Sequence, residues 1–272
     1  MPSPNEITVA QLSRLVGTPL APAIVDVRID EDFAADPQLI PGAFRLPHRD
    51  IESLLPRLAG QRVVVYCQQG KKLSQGAMAL LRHHGVAAEY LEGGHFAWRD
   101  AGELQVPAAK IPRRANFEPS LWVTRHRPKI DRMACPWLIR RFVDPLAQFL
   151  FVAPSEVRGV AEKFDATPFD IEDVFWSHRG DNCTFDTMLD EFELDSIPLR
   201  RLATIVRGAD TNRHELAPES AGLLAASLGL SRMYRDDVEQ IEAGMQLYDA
   251  FYRWARDATG ESHDWPQPGA GI

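Results

Sequence analysis

Three cysteines in 272 residues, at Cys67, Cys135 and Cys183, are too few and too widely spaced for a disulfide framework. An odd number without an export signal points to reduced thiols in a cytoplasm. No stretch approaches the roughly 18 apolar residues of a membrane span, so no membrane partner is expected. The opening residues, Met-Pro-Ser-Pro-Asn-Glu, lack the basic and apolar regions of a signal peptide. The chain also lacks internal repeats and low-complexity tracts. With 45% hydrophobic and 25% charged residues it is neither disordered, collagen-like nor a coiled coil.

What is present is enough for two modest domains, at roughly 150 residues each. The net charge of −8 is unevenly spread. Residues 1–110 carry 11 Lys+Arg against 12 Asp+Glu, residues 111–141 carry 8 against 2, and residues 142–272 carry 11 against 24. A basic island therefore joins a near-neutral block to an acidic one. It reads as a solvated linker with a basic helix side, or as an anion site or a dock onto the acidic domain.

The first hundred residues alternate strand and helix. Thr8 is placed to cap a helix bearing Val9, Leu12, Leu15 and Val16. Ala23-Ile24-Val25-Asp26-Val27 is a short strand, and Asp50 is expected to open a helix through Ile51, Leu54, Leu55 and Leu58. Arg62-Val63-Val64-Val65-Tyr66-Cys67 is the apolar kind of strand that parallel sheets bury on both faces. A polar loop leads to a helix from about Ser74 to His84, and Glu89-Tyr90-Leu91-Glu92 returns as a strand. This order predicts a small α/β domain with a parallel sheet and flanking helices. The pattern fades from Gly102 to Pro119, giving domains at 1–107 and 120–272 with a linker over 108–119. The second is expected to be a helix-rich α/β or α+β domain. Its strands are predicted at 121–124 and 148–152, with helices over 131–143, 155–164, 184–193, 197–207, 218–228 and 236–257. Val238, Ile241, Met245, Tyr248 and Tyr252 in the last helix have the spacing of a core stripe.

The strongest chemical signal is the loop Cys67-Gln68-Gln69-Gly70-Lys71-Lys72-Leu73-Ser74. A cysteine at the carboxyl end of a buried strand sits where α/β proteins place ligands. Loop amides, a helix N-terminus and the charges of Lys71 and Lys72 all favour a thiolate, the nucleophilic form. The alternative is an inert cysteine ending a core strand.

With Ile24-Val25-Asp26-Val27-Arg28, Ile40-Pro41-Gly42-Ala43 and Leu91-Glu92-Gly93-Gly94 followed by Trp98, this loop resembles the rhodanese family of sulfurtransferases over residues 5–105. The resemblance implies a persulfide on Cys67, taken from a small sulfane donor such as thiosulfate and passed to a thiol or cyanide. It requires no cofactor. Gln68, Gln69, Gly70, Lys71 and Lys72 would cradle the outer sulfur, with Lys72 helping to hold an anionic donor. Many members carry arginine near that position, and lysine, a point charge, cannot grip an oxyanion bidentately. Cysteine phosphatases and arsenate reductases use similar loops but want an arginine six residues after the cysteine; here that residue is Leu73.

From Trp122 on, the sequence resembles the chromate-resistance domain at the carboxyl end of ChrB-type proteins. The resemblance is carried by Trp122-Val123-Thr124-Arg125, Arg127 to Arg132, Ala134 to Phe142, Pro168-Phe169-Asp170, His178 to Asp181, Cys183 to Asp186 and Val206 to Thr211. Arg125, Arg127, Arg132 and Arg140 form a candidate anion site for chromate or sulfate at a strand-to-helix turn, where Asp131 is placed as a cap. The opposite expectation is that these arginines pair with the domain's carboxylates. Nucleic-acid binding is opposed by the acidic charge beyond residue 141. His178, Cys183, Asp186 and Asp210 are candidate ligands for zinc or iron, with Asp170 able to join. Cys183 as a buried hydrophobe, with Asp181 or Thr184 as a helix cap, is the competing reading. Two functions follow: a sulfurtransferase working through Cys67, or a chromate- or metal-binding sensor in which the first domain is auxiliary.

Overall fold

The computed structural model describes residues 5–112 and 119–261. The first half contains β1 (Glu6–Ile7), α1 (Val9–Ser13), β2 (Ala23–Asp26), α2 (Asp30–Ala35), β3 (Gln38–Leu39), β4 (Ala43–Arg45), α3 (Leu55–Leu58), β5 (Arg62–Tyr66), α4 (Lys72–His83), β6 (Ala87–Leu91), α5 (Gly94–Asp100) and β7 (Val106–Pro107). Five strands make a parallel sheet in the order β1-β6-β5-β2-β4. Strand β5 lies at its centre, and Val63, Val64, Val65 and Tyr66 are all wholly buried. Val63, Val65 and Cys67 pack with Met78 and Leu81 of α4, whereas Val64 and Tyr66 belong to the opposite cluster with Leu12 and Trp98. An apolar run is what a strand covered on both faces requires.

Thr8 caps α1 in a reciprocal capping box with Gln11. Asp50 does not open a helix. It lies inside a 3-10 stretch, His48–Leu54, that passes into α3. Pro56 has no N–H to give the Glu52 carbonyl, and the Leu55 amide takes it in the tighter register. Helix α4 begins at Lys72, before the expected Ser74. Part of the expected linker is structured: Ala108–Lys110 form a 3-10 turn directly after β7, which pairs antiparallel with β3. Residues 113–118 lie outside the described residues.

The second half contains β8 (Leu121–Arg125), α6 (Asp131–Leu138), β9 (Gln148–Val152), α7 (Val157–Phe164), β10 (Thr167–Pro168), α8 (Thr184–Glu191), α9 (Ile197–Asp210), α10 (Glu219–Met233) and α11 (Asp237–Asp257). It is helix-rich around a small parallel sheet, β10-β8-β9. The helix expected over 131–143 changes to a π turn at Ile139–Val143, three residues after an internal Pro136. Of the expected stripe in α11, Ile241, Met245, Tyr248 and Tyr252 are buried and Val238 is exposed.

One hydrophobic cluster spans both halves, from Ile7, Leu12 and Trp98 to Trp122, Trp137, Phe142 and Tyr252. Phe142 joins the two halves. The Phe142 carbonyl accepts from Gly42 N at 2.7 Å. Its ring lies so near Gly17 that a Cβ there would come within 2.2 Å. Among the described residues, no helix is long and apolar enough to cross a membrane.

Candidate functional site

Cys67 is the first residue past the central strand, and it is buried, with 5% of the residue exposed. Its Sγ lies 3.2 Å from Ser74 Oγ, in the first turn of α4. The loop from 68 to 73 is thereby closed back on the sulfur. Ser74 Oγ also reaches the Lys71 carbonyl at 3.1 Å. Among the described residues, no group in the chain accepts from the amides of Gln69, Gly70, Lys71, Lys72 or Leu73. Gly70 is buried and Leu73 half-buried, while Gln69, Lys71 and Lys72 are exposed, and the amides of Lys72 and Leu73 are those a helix start leaves free, so donors are available next to the thiol. Lys71 and Lys72 are exposed at the same helix start, outside any ion pair among the described residues.

Two glycines set the loop's shape. Gly70 has φ +65°, and a Cβ on it would come 2.5 Å from the Leu91 carbonyl oxygen. Gly94, φ +61°, would bring a Cβ 2.2 Å from the Cys67 carbonyl and 2.4 Å from Gly70 N. The turn after β6 therefore packs backbone against backbone beneath the cysteine loop, held by His95 N to the Cys67 carbonyl (2.9 Å) and Phe96 N to the Gln68 carbonyl (3.1 Å). Behind them, Arg28 and Asp26 form a wholly buried ion pair at 2.7 Å. The Arg28 guanidinium also donates to the carbonyls of Asp36 and Gln38. Ser74 was not among the residues expected to matter; a hydroxyl seven residues after the cysteine was its only trace in the sequence.

In the second domain the expected groups are sorted differently. Arg125 and Arg132 meet at Asp170, at 3.2 and 3.4 Å. Arg127 does not join them: it holds the carbonyls of Ser231 and Tyr234 and faces Asp237. Arg140 pairs with Glu242 at 2.5 Å, donates to the Ala147 carbonyl and lies over the Phe149 ring. The four arginines are not gathered at one point: Arg125 and Arg132 share Asp170, the buried Nε of each having no hydrogen-bond partner among the described residues, while Arg127 and Arg140 are held elsewhere and Arg141 pairs with Asp249.

The metal-ligand set is also corrected. His178 and Asp210 are brought together, with Nε2 3.3 Å from Asp210 Oδ2. Asp131 and Asp170 complete the group, each with one oxygen 3.4 Å from the same Nε2. Cys183 and Asp186 stand aside as a capping box at the start of α8, with Sγ and N both donating to Asp186 Oδ2 at 3.3 and 3.1 Å. The other Asp186 oxygen is taken by Arg207. Asp131, the first residue of α6, does not act as that helix's N-cap. Its Oδ2 accepts from Thr184 N at 2.6 Å, capping α8 from a distance.

The charges follow from this packing. Burial pushes the Asp131 carboxyl above the ordinary carboxylate range, against the pull of His178. Burial alone would do the same to Asp170. There the hydrogen bonds from His178 and Thr184, with Arg132 and Arg125, outweigh it and hold the carboxyl below its usual value. Bonding to Asp131, Asp170 and Asp210 raises His178 to about 12. Burial, then the nearby carboxylates, pushes the Cys135 and Cys183 thiols well up, so neither is a ready thiolate.

The first half is thus a parallel α/β domain with a cysteine at the end of its central strand, and the second a helix-rich domain around a small sheet. Residues 8–101 match the model of the rhodanese-like domain, and residues 122–255 match that of the ChrB C-terminal domain. The chain thus carries a rhodanese-like domain fused to a ChrB C-terminal domain. It is 36% identical over 155 residues to "Protein ChrB" of Cupriavidus metallidurans, covering 56% of this chain and 46% of that one. An uncharacterized protein of Synechocystis sp. is 36% identical over 91 residues, 33% of this chain and 49% of its own. The chain spans about half the length of these curated relatives. Among solved structures, a rhodanese-like domain protein from Staphylococcus aureus is 30% identical over 37% of this chain and 96% of its own, TM-score 0.33. A thiosulfate sulfurtransferase from Pseudomonas aeruginosa is 26% identical over 38% of this chain and 19% of its own, TM-score 0.32.

Proposed function

We propose that the chain is a cytoplasmic sulfurtransferase that carries a persulfide on Cys67, in a protein linked to chromate resistance. The observation that supports this best is the run of unpaired amides from Gln69 to Leu73 beside a thiol bonded to Ser74. The Cys67 thiolate attacks the outer sulfur of thiosulfate. The new Cys67 S–S bond forms as the sulfur–sulfur bond of thiosulfate breaks, and sulfite leaves with the electron pair. A thiol or cyanide then attacks the outer sulfur and releases the thiolate. Loop amides would hold the negative charge of the persulfide, and Lys71 and Lys72 would draw in an anionic donor. No cofactor enters the cycle. The partners are small molecules, a sulfane donor and a thiol acceptor.

The link to chromate rests on the similarity to ChrB. Joint capture by the four arginines is disfavoured, because Arg127 and Arg140 are paired with Asp237 and Glu242, apart from Arg125 and Arg132 at Asp170. Thiosulfate-dependent thiocyanate formation tests the proposal, together with the mass of the thiosulfate-treated chain. The expected result is a gain of one sulfur atom and turnover, both abolished in Cys67→Ser. Absence of both in the unaltered chain overturns the proposal and leaves a binding role for the first domain.

A further inference from the structure

Four segments of the second domain bring side chains to one point. Asp131 opens α6, Asp170 follows β10, His178 lies in the loop before α8, and Asp210 ends α9. Three carboxylate oxygens approach His178 Nε2 at 3.3 to 3.4 Å. A ring nitrogen carries at most one hydrogen and satisfies one acceptor well. Three carboxylates outnumber the one imidazole they surround, a set of donor atoms that a cation can occupy by displacing the ring proton. The nearest ligand atoms of Asp131, Asp170 and His178 all lie within 4.8 Å of one another.

A separate observation concerns what the cluster leaves undone. Asp131 is wholly buried, and its Oδ1 has no hydrogen-bond partner among the described residues, although Oδ2 is held by Thr184 N. A buried carboxylate oxygen without a donor is costly. Arg125 and Arg132 cannot repair this, since both are directed at Asp170.

We propose that Asp131, Asp170, Asp210 and His178 bind one divalent first-row metal ion, with the Asp131 carboxylate as its innermost ligand. Three carboxylates and one imidazole form a hard-to-borderline donor set, suited to Mn²⁺, Fe²⁺ or Zn²⁺. The soft alternative is closed, because the Cys183 thiol is engaged in its capping box. His178 is 41% exposed and Asp210 21%, so an ion would enter from the solvent side and meet Asp131 at the floor. Arg125 and Arg132 keep the total charge of a loaded site small.

The test uses the full chain, stripped with a chelator and titrated separately with Mn²⁺, read by loss of the free-ion paramagnetic resonance signal, and with Zn²⁺, read by calorimetry. One equivalent of at least one ion is expected to bind. Asp210→Asn and His178→Gln, both at partly exposed positions, should each weaken binding by roughly tenfold or more. Asp190→Asn, an exposed carboxylate on α8 outside the cluster, should leave it unchanged, as should Cys67→Ser. Circular dichroism verifies that each variant is folded. No binding of either ion up to about 1 mM, or binding that both cluster variants retain in full, overturns the proposal. Either result is independent of sulfur transfer at Cys67.

Discussion

Cys67 Sγ and Ser74 Oγ lie 3.2 Å apart, joining the end of the central strand to the first turn of α4. A serine hydroxyl has one hydrogen. It can go to the Lys71 carbonyl 3.1 Å away, with the thiol then donating to Oγ, or to the sulfur itself. Once the thiol ionises, the same hydroxyl is free to rotate and donate to the sulfur. Ser74→Ala removes that bond, which is worth about 1 kcal/mol net. The rate of iodoacetamide alkylation at Cys67, and sulfur transfer with it, should fall by roughly fivefold. Unchanged rates would show that the loop amides alone hold the thiolate.

The interlocked glycines make a sharper case. Gly70→Ala and Gly94→Ala each place a Cβ within 2.5 Å of backbone atoms that cannot yield. Gly85 has a similar φ, +79°, with nothing within 4 Å of an added Cβ. Gly85→Ala should therefore cost only the left-handed strain of an L residue, about 1 kcal/mol. The other two should cost at least about twice that and abolish persulfide formation by moving the loop. Urea unfolding of the three variants checks the order, and equal losses would remove the close approach as the cause.

What was legible in the sequence follows physical rules of short range. Strand β5 showed because burial on both faces demands an unbroken apolar run, and α1 because a capping Thr8 precedes apolar residues at helical spacing. Most helices of the second half showed through their apolar period. The second-domain cluster was only half legible. Cys183 and Asp186, three apart before an apolar helix, looked like ligands, yet this is also the spacing of a capping box. Asp131 looked like a cap for its own helix and instead caps α8, 53 positions away. Arg127 finds Asp237 across 110 positions. Pairings at such separation are set by how helices pack, and no local pattern announces them.

His95 gives the rhodanese-like half a pH dependence. Burial, then the charge of Arg28, lowers its pKa below the usual 6.5, against the pull of Asp36. The neutral ring fits the contacts: Nε2 sits 2.9 Å from Asp36 Oδ2, and Nδ1 is buried with no partner among the described residues. The folded chain thus binds fewer protons at this site than the unfolded chain. Its contribution to stability is present above pH 6.5 and is lost as the pH falls toward the folded value. The urea midpoint should drop between pH 7 and 5, and His95→Gln should flatten that part of the profile. An unchanged slope in the variant would assign the acid sensitivity to other groups.

The three cysteines should separate by reactivity, although all three are buried. Cys135 and Cys183 are fully enclosed, and burial followed by the Asp131 charge keeps both as thiols. Cys67 instead lies under a loop whose amides are free and whose start carries two lysines. Iodoacetamide at neutral pH should label Cys67 alone in the folded chain, and all three once guanidinium has unfolded it. Peptide mapping by mass spectrometry distinguishes the sites. Brief prior treatment with thiosulfate should shield Cys67 from the label as a persulfide, and a reductant should restore it. Labelling of Cys135 or Cys183 at the rate of Cys67 would mean that the second domain opens readily and would contradict their enclosure in its core.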